Sequence, residues 1–201
     1  MRIHHIDPKD KIDGIIEFNG YLDNENNFIM KECFIISIML DNNNPIEKLF
    51  IFKESNILDH VDSVKQNKIN EYIEKYGINW KTGWYRKKIQ KTILKRYLKF
   101  FKLIYVRDPQ KHDLLVSIVG KRVEINCLSD LGYTEIESAR TERCGYHENP
   151  DFTECAREEA IKMRLWLTPL IKSLKLKKSD RKNEIHDHII QLHETNSALP
   201  F

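Results

Sequence analysis

Cys144, His147 and Cys155 stand as Cys-x2-His-x7-Cys. A cysteine and a histidine this close can chelate from one turn of chain. Cys155, in the first turn of a helix expected to begin near Asp151, would offer a thiolate favoured by the helix N-terminus. These three soft or borderline donors suit zinc, which takes four ligands in a structural site. Glu32 is the best fourth. On the strand expected over Phe28–Leu40, alternation puts Phe28, Met30, Glu32, Phe34, Ile36 and Ile38 on one face. A carboxylate among such apolar neighbours is costly unless it is paired or bound to a cation. Cys33 is chemically suitable but faces the other way, and Cys127, at the end of another expected strand, competes for the same place. The plainer account is two buried thiols, a surface histidine, and a Glu32 paired with a buried Arg or Lys. His186, His188 and His193 read as the solvated face of a polar terminal helix rather than as a second metal site.

The elements that must position these donors follow from pattern. Asp13–Tyr21 reads as a strand, Phe28–Leu40 as a long central strand rich in β-branched and aromatic residues, and Ile46–Phe52 as a third. Asx-rich turns separate them. Helical spacing follows over His60–Tyr76 and Tyr85–Lys102, then a strand at Leu103–Val106, a helix over Gln110–Val119 and a strand over Arg122–Leu128. Asp151-Phe-Thr-Glu154 fits a capping box with a carboxylate in place of Ser or Thr, and opens a long helix. A three-stranded antiparallel meander followed by alternating helices and strands is an α/β element order, that of the RNase H-like fold. The compact domain is expected over residues 1–176, with a basic and polar, partly helical extension over 177–201.

Charge is unevenly distributed. The 201 residues hold 33 Lys and Arg against 30 Asp and Glu. From Lys75 to Arg107 there are eleven basic residues and no acidic one, so the rest of the chain carries 22 bases against all 30 acids. A basic segment in an acidic body is the pattern of a polyanion binder. On a helical wheel, Lys88, Lys91, Lys95, Lys99 and Lys102 share a narrow arc. Ile89, Ile93, Leu94, Tyr97, Leu98, Phe100 and Phe101 occupy the other side. Such a lysine row suits phosphates along a nucleic-acid backbone, and Trp80, Trp84 and Tyr85 just before it could stack on bases.

With 41% hydrophobic residues the chain can bury a core, which excludes wholesale disorder. The N-terminus has no apolar signal-like run, and the longest apolar stretch, Cys33 to Leu40 interrupted by Ser37, cannot span a bilayer. The expectation is an intracellular protein, cytoplasmic or nuclear, with reduced cysteines and no membrane partner.

Glu32, Cys144, His147 and Cys155 together resemble the Glu-His-Cys-Cys metal signature of the Maelstrom domain. Glu17-Phe-Asn-Gly-Tyr21, Gly77-Ile-Asn-Trp80, Tyr105-Val-Arg107 followed by Lys111, and Asp130-Leu-Gly-Tyr133 are similar as well, so the likeness spans roughly residues 12–175. The resemblance implies a zinc-stabilised RNase H-like fold related to DEDD-type 3′–5′ exonucleases. It also implies RNA binding in small-RNA (piRNA) silencing of transposons and, in some members, single-strand RNA cleavage. Two-metal exonuclease chemistry requires Asp-x-Glu on the first strand to hold two ions about 4 Å apart. This chain has Glu17-x-Asn19, which argues against that chemistry. Three functions are therefore in competition. The first is a zinc-binding RNA-binding domain with nuclease activity lost or weak. The second is an active ribonuclease, with Glu17, Asp108, Asp113 and Asp130 gathering Mg²⁺ or Mn²⁺ or with an unorthodox site. The third is an adaptor that holds a protein partner through the C-terminal extension.

Overall fold

In the computed structural model, β1 (Ile12–Leu22) runs through the middle of a mixed sheet, and Ile15, Ile16 and Phe18 are fully buried along it. The structure describes residues 11–22, 25, 27–38, 46–53, 63–79, 81–120, 123–136, 143–147 and 154–175. After β1 come β2 (Phe28–Ser37), β3 (Glu47–Lys53), α1 (Ser63–Tyr76), β4 (Tyr85–Arg86), α2 (Gln90–Leu98), β5 (Phe101–Val106), α3 (Pro109–Val119), β6 (Glu124–Cys127) and α4 (Ala156–Lys175). Among the described residues six strands lie in the order β4-β3-β2-β1-β5-β6. β1, β2 and β3 form the antiparallel meander, while β5 lies parallel to β1 and β6 parallel to β5.

Helices cover both faces of the sheet. Leu94 and Leu98 of α2 and Leu115 and Val119 of α3 pack with Phe18, Met30, Cys33, Ile35 and Phe52. On the other face α4 brings Ala156, Ala160, Met163 and Leu167, an i, i+4, i+7, i+11 stripe, onto Ile15, Phe34 and Ile36. Beside it, Ile69 and Tyr72 of α1 pack on Tyr21, Ile29 and Ile51. α3 begins where Asp108 accepts a hydrogen bond from the Lys111 amide at 2.9 Å, with Pro109 at the first helical position. It ends at Gly120, whose φ of 73° suits glycine.

Several expected boundaries move, each for a tertiary reason. The helix expected over Tyr85–Lys102 divides: Tyr85 and Arg86 pair with β3, Lys87–Ile89 form one 3₁₀ turn, α2 is short, and Phe101 and Lys102 already belong to β5. Its aromatic end is captured by pairing with β1, where Ile12 meets Phe101. Lys99 and Lys102 thus leave the helical row, although Lys88, Lys91, Lys99 and Lys102 remain exposed. The last helix begins at Ala156, so Cys155 stands one residue before it. The Asp151 cap lies outside the described residues, as does the extension over 177–201.

The alternation on β2 also changes. Asn19 pairs with Glu32 and Gly20 with Met30, so Lys31 is the extra residue of a β-bulge. Phe28 and Met30 therefore pack with the α2 and α3 side, while Glu32, Phe34, Ile36 and Ile38 face α1 and α4. Gly20 admits the bulge, since a Cβ there would sit 2.1 Å from the Ile29 carbonyl oxygen. None of the helices among the described residues is long and apolar enough to cross a membrane.

Candidate metal centre

The fold brings Glu32, Cys144, His147 and Cys155 together. One donor atom from each lies within 4.8 Å of all the others, and among the described residues no other group of acids, histidines and cysteines gathers in this way. Glu32 Oε1 is 3.4 Å from His147 Nε2 and 3.6 Å from Cys155 Sγ. Tetrahedral bonds of about 2.0 Å to oxygen and nitrogen and about 2.3 Å to sulfur require edges of about 3.3 and 3.5 Å. The two spacings at Glu32 match. Cys33 and Cys127 are buried in the core on the α2 and α3 side, outside the group.

Each donor is aimed by a second contact. The Nδ1–H of His147 donates to the Tyr76 carbonyl at the end of α1, which turns Nε2 toward Glu32 and Cys155. That Nε2 is buried and has no hydrogen-bond partner. Glu32 Oε2 accepts from the Ala156 amide at 2.9 Å and from Asn19 Nδ2 at 3.2 Å, leaving Oε1 for the centre. Glu32 thus caps α4 from the sheet, adding its charge to the positive end of the helix. Cys155 accepts the Glu159 amide through its carbonyl, which makes it the residue that opens α4.

As four protein groups alone, the site is a crowded proton network. Burial raises the Glu32 pKa, but His147 and then the Ala156 amide outweigh it and hold the carboxyl below its ordinary value. Burial opposes a charged His147, yet Cys155 and Glu32 hold its pKa up to about 10. The Cys144 thiol donates to Cys155 and lowers the latter to about 6, against the effect of burial and with help from His147. The same hydrogen bond, and then burial, push Cys144 far up. A cluster that holds protons between closely spaced soft donors is the form expected of a site that exchanges them for a cation.

The carboxylates weighed for hydrolytic chemistry are placed differently. Glu17 is buried, and its partner is the Lys111 ammonium, which also meets the Phe18 carbonyl and reaches Asn19 Oδ1 at 3.4 Å. Asp108 caps α3 and pairs with Arg107, Asp113 is exposed beside His112, and Asp130 is exposed on the turn after β6. Lys111 lines a cleft of about 310 Å³ at the carboxyl ends of β1 and β5, with Asn19, Lys75, Tyr76, Arg107 and Glu154. β2 and β5 lie on opposite sides of β1, so the cleft falls where the strand order reverses, the usual ligand crevice of an open α/β sheet.

Of the expected stacking residues, Trp84 is 62% exposed. Tyr85 turns inward against Phe50 and Phe52, and Trp80 lies outside the described residues. Sequence reasoning did not assign Asn19 to the metal centre. Its amide bridges the two buried carboxylate systems, donating to Glu32 and accepting from Lys111. Its position two residues after Glu17, on the same strand face, was the available signal. No protein-family model matches this chain, and no curated protein matches it.

Two outcomes follow from this arrangement. Lys111→Met leaves Glu17 buried without its cation and should lower stability by about 3–5 kcal/mol. Adding Glu17→Gln should recover much of that loss in chemical unfolding, and equal losses in the single and double variants would show that the pair is not coupled. Divalent-metal uptake at pH 7 must displace protons from His147 and Cys144, about two per ion. Affinity measured by competition with a chromophoric chelator should therefore rise with pH, and affinity independent of pH between 6 and 8 would contradict the assignment of donors.

Proposed function

We propose that this chain is a zinc-stabilised, RNase H-like domain that binds RNA through the basic surface around α2 and has lost two-metal phosphodiester chemistry. The donor set supports zinc: two thiolates, one imidazole through Nε2 and one carboxylate oxygen make a closed four-ligand site of the structural kind. When bound, the ion joins β2, the Cys144–His147 loop and the start of α4. The antiparallel meander running into parallel β5 and β6 supports the RNase H-like reading. The resemblance of the four ligands to the Maelstrom signature supports a role in small-RNA silencing.

The observation that carries the RNA reading is the exposed lysine surface within an acid-free stretch. Lys88, Lys91, Lys99 and Lys102 are exposed, and no salt bridge among the described residues reaches them. Exposed lysines of an acid-free stretch attract a polyanion and release its counterions on binding. Against hydrolysis by two ions stands the Lys111 ammonium. It sits between Glu17 and Asn19, where the first-strand acids of a two-metal enzyme would gather cations, and Asn19 supplies an amide in place of a carboxylate.

Purified protein should carry one zinc per chain by elemental analysis. Cys144→Ser should lose the metal and the cooperative unfolding transition together; a metal-free variant of unchanged stability would overturn the structural role. Single-stranded RNA affinity should fall steeply with salt. Changing Lys88, Lys91 and Lys99 to Ala should reduce the slope of log K against log salt by about 0.7 for each phosphate no longer neutralised. An unchanged slope would place the RNA elsewhere.

A further inference from the structure

Trp84 is the most exposed large aromatic among the described residues, and its position is tightly built. Gly83 has φ of 141° and lies so close to β3 that a Cβ would meet the Ile51 oxygen and the Lys53 nitrogen at 2.8 Å. The Trp84 amide donates to that same Ile51 oxygen at 3.0 Å, and Ile51 is the residue paired across the sheet with Glu32. The backbone of Trp84 is thus held by one hydrogen bond to the residue that lies opposite Glu32 in the sheet. Its ring meets Tyr146 edge-on, with centroids 5.1 Å apart and planes at 88°. Tyr146 lies in the loop between the donors Cys144 and His147, so both sides of the Trp84–Tyr146 contact are tied to the metal centre. Lys81 and Arg86 flank Trp84 and are exposed.

We infer that Trp84, braced by Tyr146 of the metal loop, is a stacking platform for one unpaired base of single-stranded RNA. The inference rests on the RNA-binding reading and adds to it the kind of RNA taken and a second task for the metal loop. A fixed ring with open surface offers a π-face to any base, and Lys81 and Arg86 are placed for the phosphates on either side of it. A duplex keeps its bases inside the stack and cannot use such a ring, whereas the lysines around α2 serve both forms of RNA. The charge around Trp84 favours a polyanion over an apolar peptide as its occupant.

The test uses the full chain, loaded with zinc, and fluorescence-labelled oligouridine beside an RNA duplex of the same length. Trp84→Ala should weaken oligouridine binding about tenfold, the equivalent of one base stack, and leave duplex affinity unchanged. Trp84→Phe should keep most of the affinity. Tyr146→Ala should give a smaller loss with the zinc content intact. Trp84 is exposed, so its variants should retain the wild-type unfolding curve. Oligouridine affinity that survives Trp84→Ala would overturn the platform and leave the RNA-binding reading standing, as would an equal loss on both RNAs. Absence of binding by the wild-type chain to either RNA would remove the reading itself, and the platform with it.

Discussion

A carboxylate taken wholly out of water carries a desolvation cost of several kcal/mol, and Glu32 is 0% exposed in the middle of a central strand. Its charge is retained because every direction around it is answered. The α4 amide and Asn19 take one oxygen, and His147 and Cys155 stand around the other. That requirement organises this side of the molecule. It sets where α4 begins, fixes the Cys144–His147 loop against the end of α1, and demands an amide rather than an acid at Asn19. The same four groups could hold one cation in place of the shared protons.

The neighbouring buried acid is treated in the opposite way. Glu17 lies on the same sheet face, two residues from Asn19, yet its cation is part of the chain: Lys111, presented by the first turn of α3. Lys111 meets one oxygen of that carboxylate, while the other, Oε2, is buried with no hydrogen-bond partner. Asn19 separates the two systems and bonds to both, so hydrogen bonds link the candidate metal centre to the cleft beside it. The fold therefore keeps a crevice in the usual place for an α/β sheet while filling its inner wall with an ion pair.

Some of this was legible in the residues themselves. The Cys-x2-His-x7-Cys spacing and the presence of a lone acid among apolar strand residues pointed to the four residues that the fold gathers, and turn chemistry marked the meander. Strand alternation placed Phe34, Ile36 and Ile38 correctly on the face of Glu32. It misplaced Phe28 and Met30, because a bulge at Lys31 shifts the pairing by one and nothing local in the strand announces it. The helical wheel over Tyr85–Lys102 gave a true amphipathic pattern but too long an element. Neighbouring strands claimed both of its ends, and pairing of that kind depends on distant residues.

The sequence by itself determined the donor types, the order of the elements and the acid-free basic stretch, since these depend only on side-chain chemistry and short-range periodicity. Tertiary structure alone decided the rest. It brought a carboxylate from β2 onto the first amide of α4, and it gave Glu17 a lysine from α3 as its partner. It also turned Tyr85 into the core while leaving Trp84 in solvent against Tyr146. The physical reason is common to all three. A buried charge or a large ring takes its partner from whatever the packed elements bring within a few ångströms, and the residues so joined stand tens of positions apart in the chain.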